Sequence, residues 1–106
     1  MIKFSKSNWE RFETHNKRTT IRHHELKTGF HTASTGWYKN YSRLGTVYVH
    51  PFEKKCMVKE LTMQDAMDDG FDSLCELLIE LAHLNKALTP ETIVFKHPVE
   101  KQKVAA

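Results

Sequence analysis

Leu74, Leu77, Leu78, Leu81 and Leu84 recur at the spacing of one helical face. Ser73 stands at the N-cap of that helix and Glu76 three residues on. One helix with one apolar stripe must be covered by something else, and most other segments read as strands. Lys17 to Arg22, Thr46 to Val49, Cys56 to Glu60 and Thr92 to Lys96 are rich in Thr, Val, Ile and aromatic residues. Ile2 to Ser5 is a short extended piece. Ser7 and Glu10 have capping-box spacing, which predicts a helix to about His15. Thr62 starts a short helix that Gly70 ends. The order is helix, strands, two helices, strand. Without alternation, that order argues α+β with a mostly antiparallel sheet.

The 106 residues, 40% of them apolar, make one modest domain. Residues 1–98 are expected to form it, with 99–106 as a flexible tail. No apolar run approaches the ~20 residues of a membrane helix. Met1 to Ser5 lacks the apolar stretch of a signal peptide. Cys56 and Cys75 make no disulfide framework. The expectation is a reduced, cytoplasmic protein with no membrane and no disulfide-linked partner.

Charge is unevenly placed. Residues 1–59 carry a net +8 and residues 60–106 a net −5. A basic front half suits a polyanion such as RNA, unless the two halves interleave in the fold and cancel. Residues 23–44 show no clean period. Phe30, Trp37, Tyr38 and Tyr41 lie there among Lys27, Lys39 and Arg43. Aromatic faces and cations are the ingredients of a single-strand nucleic-acid surface, to which Arg18 would add. Packing of Trp37 and Tyr38 onto the domain is an equal reading, and both hold if one of them lids a base-sized pocket.

Two blocks carry a resemblance. The first is Asn16-Lys17-Arg18-Thr19-Thr20-Ile21-Arg22, and the second runs from Leu61-Thr62 through Ala66 to Asp69-Gly70-Phe71. In this order and separation they resemble the signature blocks of the ASCH domain family. That resemblance implies a small PUA-like, mostly antiparallel β-barrel with flanking helices. Small bacterial members include amidohydrolases that deacylate N4-acetylcytidine and related N4-acylcytidines, while other members are associated with RNA binding or cleavage. By motif position the family's Thr nucleophile, Lys and Glu fall on Thr20, Lys17 and Asp69. The partner implied is a modified nucleoside or single-stranded RNA, and neither cofactor nor metal is expected.

The chemistry sets conditions. A Thr hydroxyl needs a base, and a Lys amine serves once its pKa is lowered by burial or a neighbouring cation such as Arg18 or Arg22. Arg22 shares a strand face with Thr20 and is a candidate oxyanion donor, with His23 beside it as a substrate contact. Lys17 and Thr20 are three apart, so they converge only if the chain bends at Arg18–Thr19 or Lys17 lies in the preceding turn. Asp is one methylene shorter than Glu, so Asp69 reaches about 1.5 Å less far. The seven histidines show no zinc spacing. Two alternatives stand beside the amidohydrolase. One is a non-catalytic RNA-binding module; the other is a ribonuclease using Lys17, Arg22 and a His on single-stranded RNA.

Overall fold

The computed structural model describes residues 1–36 and 42–102. Strand β1 (Ile2–Lys3) leads into helix α1 (Lys6–Thr14). Ser5, rather than Ser7, caps α1, its hydroxyl accepting from the Asn8 amide at 3.1 Å. The reason is aromatic. With Ser5 as cap, Phe4 precedes it and Trp9 occupies the fourth helical position, and their rings meet at 5.6 Å as a hydrophobic staple.

Strands β2 (Thr19–Arg22), β3 (Gly29–Thr35), β4 (Ser42–Val49) and β5 (Lys54–Met57) follow. A 3₁₀ turn (Val58–Glu60) leads to α2 (Met63–Asp68) and α3 (Leu74–Leu84), and β6 (Ile93–Lys101) closes the described chain. The six strands form one mixed sheet in the order β1-β3-β4-β6-β2, with β5 also on β6. Among the described residues only the β1–β3 pairing is parallel. β4 and β5 lie in succession along one edge of β6, with Val49 opposite Val99 and Lys54 opposite Lys96. β2 takes the other edge, with Thr20 opposite His97.

One expectation needs correction, and another is met only in part. Residues from Val99 onward do not begin a tail: Val99 is buried and β6 continues to Lys101. Pro98 lacks an N–H, but its carbonyl accepts from the His50 amide at 2.9 Å, so the strand passes through it. The ladder is also not closed into a barrel. β1 has two residues before Ser5 turns the chain into a helix, so β1 and β2 remain as two edges. A side chain spans them instead, Arg22 Nη2 donating to the Lys3 carbonyl at 2.7 Å.

Two apolar clusters hold the molecule. Ile21, Leu61, Ala66, Phe71, Leu77, Leu81 and Val94 pack under α2 and α3. Ile2, Phe4, Trp9, Ala33, Val47, Val49 and Val99 pack with α1. Each fully buried large apolar side chain contributes roughly 1.5–3 kcal/mol. Cys56 and Cys75 are free thiols, and among the described residues no helix is long and apolar enough to cross a membrane.

Candidate active site

Helix α1 stops at Asn16, which adopts a left-handed φ of 51°. The Lys17 amide then bonds back to the Arg11 carbonyl at 3.0 Å. Lys17 therefore lies in the turn before β2, the second of the two arrangements the spacing allowed. Thr62 caps α2 by accepting from the Asp65 amide, and the helix ends at Asp69 with Gly70 at φ 87°. A Cβ on Gly70 would stand 3.0 Å from Arg11 Cβ and 3.1 Å from Lys17 Cβ. Only glycine lets the ends of α1 and α2 press together this closely. The Arg18 amide seals the junction by donating to the Asp68 carbonyl at 2.7 Å.

This junction delivers Asp69 to Lys17. Lys17 Nζ donates to Asp69 Oδ1 at 2.9 Å and to the Asp69 carbonyl at 3.0 Å, and its side chain is 0% exposed. The shorter acid does reach the amine. The Thr19 hydroxyl donates to the same Oδ1 at 3.4 Å. Thr20, 2% exposed, turns the other way and accepts from Arg22 Nε at 3.1 Å. Alternation along β2 puts Thr20 and Arg22 on one side and Thr19 on the other, where Lys17 joins it on Asp69 from the preceding turn. The Arg22 charge still lies near enough to act on both Lys17 and Asp69.

Burial pushes the Lys17 ammonium below the ordinary lysine range, against the attraction and hydrogen bond of Asp69; Arg22 and Arg11 add to the push. Burial likewise pushes the Asp69 carboxyl up, against Lys17, Arg22 and Thr19. Both shifts run toward an uncharged amine beside an uncharged acid. The direction of the Lys17 shift is the one that a general base requires.

The other candidates scatter. His23 lies beyond the end of β2 and stacks edge-on against His24 at 4.9 Å. Both border a cavity of about 200 Å³ that Arg22 also lines. Arg18 pairs with Asp68. Lys27 is exposed, and exposed Arg43 donates to the Thr46 hydroxyl at 3.2 Å. Trp37, Tyr38 and Lys39 lie outside the described residues. The linear charge asymmetry largely folds onto itself through the pairs Lys17–Asp69, Arg18–Asp68 and Lys54–Asp65. Among the described residues, no three His, Cys, Asp or Glu side chains stand together as metal ligands.

Sequence reasoning passed over Thr19, although its two-residue spacing from Lys17 was the available signal. It also passed over the Lys3 carbonyl, for which a two-residue strand gives no signal. Comparison with protein-family models, curated proteins and solved structures finds no match to the chain.

Proposed function

We propose that the chain is an ASCH-type, PUA-like protein that hydrolyses the amide of N4-acetylcytidine or a related N4-acylated cytidine. The observation that carries this reading is the sealed Lys17–Asp69 contact at 2.9 Å, made by the two residues that the motif blocks single out. The Arg22 bridge from β2 to Lys3 supports the barrel reading, since it draws the two free edges of the sheet together.

In the proposed reaction, substrate draws Arg22 from the Thr20 oxygen onto the amide carbonyl. Lys17 and Thr20 face opposite sides of the chain in the resting site, so β2 must shift on substrate binding. Thr20 then gives its proton to the Lys17 amine in its deprotonated form, and its Oγ bonds to the acyl carbon. Arg22 stabilises the negative oxygen that develops. The C–N bond then breaks, N4 takes the proton from Lys17 and cytidine leaves. Water cleaves the acyl-threonine ester, releasing a carboxylate and a proton. Asp69 orients the amine throughout.

The test is incubation of the purified protein with N4-acetylcytidine and longer N4-acyl homologues, followed by separation of cytidine. Wild type should produce cytidine and Thr20→Ala should not. No cytidine from any homologue refutes the reading, and undiminished turnover by Thr20→Ala with loss in Thr19→Ala moves the nucleophile to Thr19.

A second reading rests on another surface. The Phe30 ring is 70% exposed and meets Tyr48 at 4.9 Å, Tyr48 meets His50 at 4.9 Å, and Arg43 reaches along the same strand to Thr46. A row of rings with a cation suits stacked bases of single-stranded RNA. Binding that weakens with salt and with Phe30→Ala would favour it, and binding indifferent to both would dismiss it.

A further inference from the structure

Arg22 has five N–H donors. Nε goes to Thr20 and Nη2 to the Lys3 carbonyl. Nη1 has no partner among the described residues, yet it is not sealed from solvent. The guanidinium is nine-tenths buried and held over the Phe4 ring at 5.0 Å, so it is a fixed group with a donor to spare. The cavity of about 200 Å³ that Arg22 lines is otherwise walled mainly by apolar side chains, among them Ile21, Leu81, Leu84, Leu88 and Val94. Its chemistry is thus a fixed cationic donor beside a largely apolar hollow, with Lys3, His23, His24 and Asn85 also on its wall. A phosphate, with no apolar part, would leave the apolar walls unfilled. A carbonyl or carboxylate oxygen with an aliphatic tail satisfies both parts.

We propose that this cavity is an acyl subsite, in which Arg22 receives the carbonyl oxygen and the apolar walls receive an aliphatic chain longer than acetyl. The assignment of the chain as an acyl group of the substrate rests on the amidohydrolase reading above. A cavity of about 200 Å³ has room for an aliphatic chain of several carbons. An acetyl methyl leaves most of that space unfilled. The net reaction consumes the amide and one water and yields cytidine, a short fatty carboxylate and a proton.

Each buried methylene is expected to raise kcat/KM about fourfold over acetyl until the cavity is full. The experiment measures kcat/KM on N4-acetyl-, butyryl-, hexanoyl- and decanoylcytidine, for wild type and Leu84→Trp. Leu84 is 39% exposed at the cavity rim, so the larger ring narrows the hollow without entering the core. Wild type should favour butyryl over acetyl by about 16-fold, with a fall at decanoyl, and Leu84→Trp should flatten the series. In parallel, sodium hexanoate and sodium acetate are titrated while the Arg22 Nε–H and Leu81 methyl resonances are followed by NMR. Hexanoate should move both signals at concentrations where acetate moves neither. Acetyl as the best substrate, or hexanoate leaving both signals still, overturns the subsite. Cytidine released equally from all homologues leaves the amidohydrolase standing and the subsite refuted. Hexanoate binding without turnover of any homologue does the reverse.

Discussion

Replacing Asp69 by Asn keeps the side chain's shape and removes its charge. In the wild type the Lys17 amine has one carboxylate to answer it, at 2.9 Å, and no exposure to water. A charged lysine left there without a counter-charge costs about 3–5 kcal/mol, a large part of the roughly 5–15 kcal/mol that holds a domain together. For 106 residues the unfolding entropy is about 0.22 kcal/mol/K, so the melting temperature at pH 7 should fall by about 13–22 °C. The loss should depend on pH with a definite sign. Without Asp69, the attraction and hydrogen bond that raise Lys17 are gone while burial, Arg22 and Arg11 still lower it. Between that lowered folded value and the unfolded value near 10.4, the unfolded chain binds more protons. Stability of the variant therefore rises with pH across this window, by at most about 1.4 kcal/mol per unit. Thermal unfolding followed by circular dichroism at pH 7 and pH 9 reads both effects. Adding Lys17→Met to Asp69→Asn should recover most of the loss at pH 7. A drop of only a few degrees, or a loss that does not shrink at pH 9, would refute the claim that burial and a single carboxylate set the state of Lys17.

Gly70→Ala should destabilise the protein by about 1–3 kcal/mol in urea unfolding, since it combines a φ of 87° with contacts near 3.0 Å; a neutral result would show that the two helix ends can part without cost. Lys96 contacts Asp65 at 2.9 Å and Asp68 at 2.7 Å. Burial would raise the Asp65 carboxyl, but hydrogen bonds from Lys54, the Thr62 amide and Lys96 hold it well below the usual carboxylate range. Asp68 is lowered in the same manner, chiefly by Lys96. That stabilisation is present above the unfolded carboxylate value near 3.9 and is lost as pH falls through the lower folded values. Lys96→Met should thus cost about 1–3 kcal/mol at pH 7, and the gap to wild type should narrow as urea titrations move toward pH 2. A gap that stays constant would show that the lysine acts by packing alone.

The elements that the sequence made legible are those with local chemistry to mark them. Thr62, Gly70 and Ser73 bracket α2 and α3, and Leu77 and Leu81 are the buried centre of the leucine stripe. β3 was hidden for two physical reasons. It buries Ser34, a polar residue, and a register shift between Ala33 and Ser34 interrupts the alternation that identifies a strand. α1 was read two residues late because Ser7 and Glu10 imitate a cap, whereas the staple between Phe4 and Trp9 is a tertiary contact. In the site, Lys17, Thr20, Asp69 and Arg22 stood out from the motif blocks. Their pairing did not, because it depends on which side of β2 each residue faces once Lys17 is in the turn.

Lys17 and Asp69 are 52 positions apart, and they meet only where the ends of α1 and α2 dock. Burial is the largest cause of the altered proton affinity of each. An extended or half-assembled chain therefore lacks the burial that alters both groups. The proton affinity of the Lys17 amine is thus a local probe of whether the ends of α1 and α2 have docked.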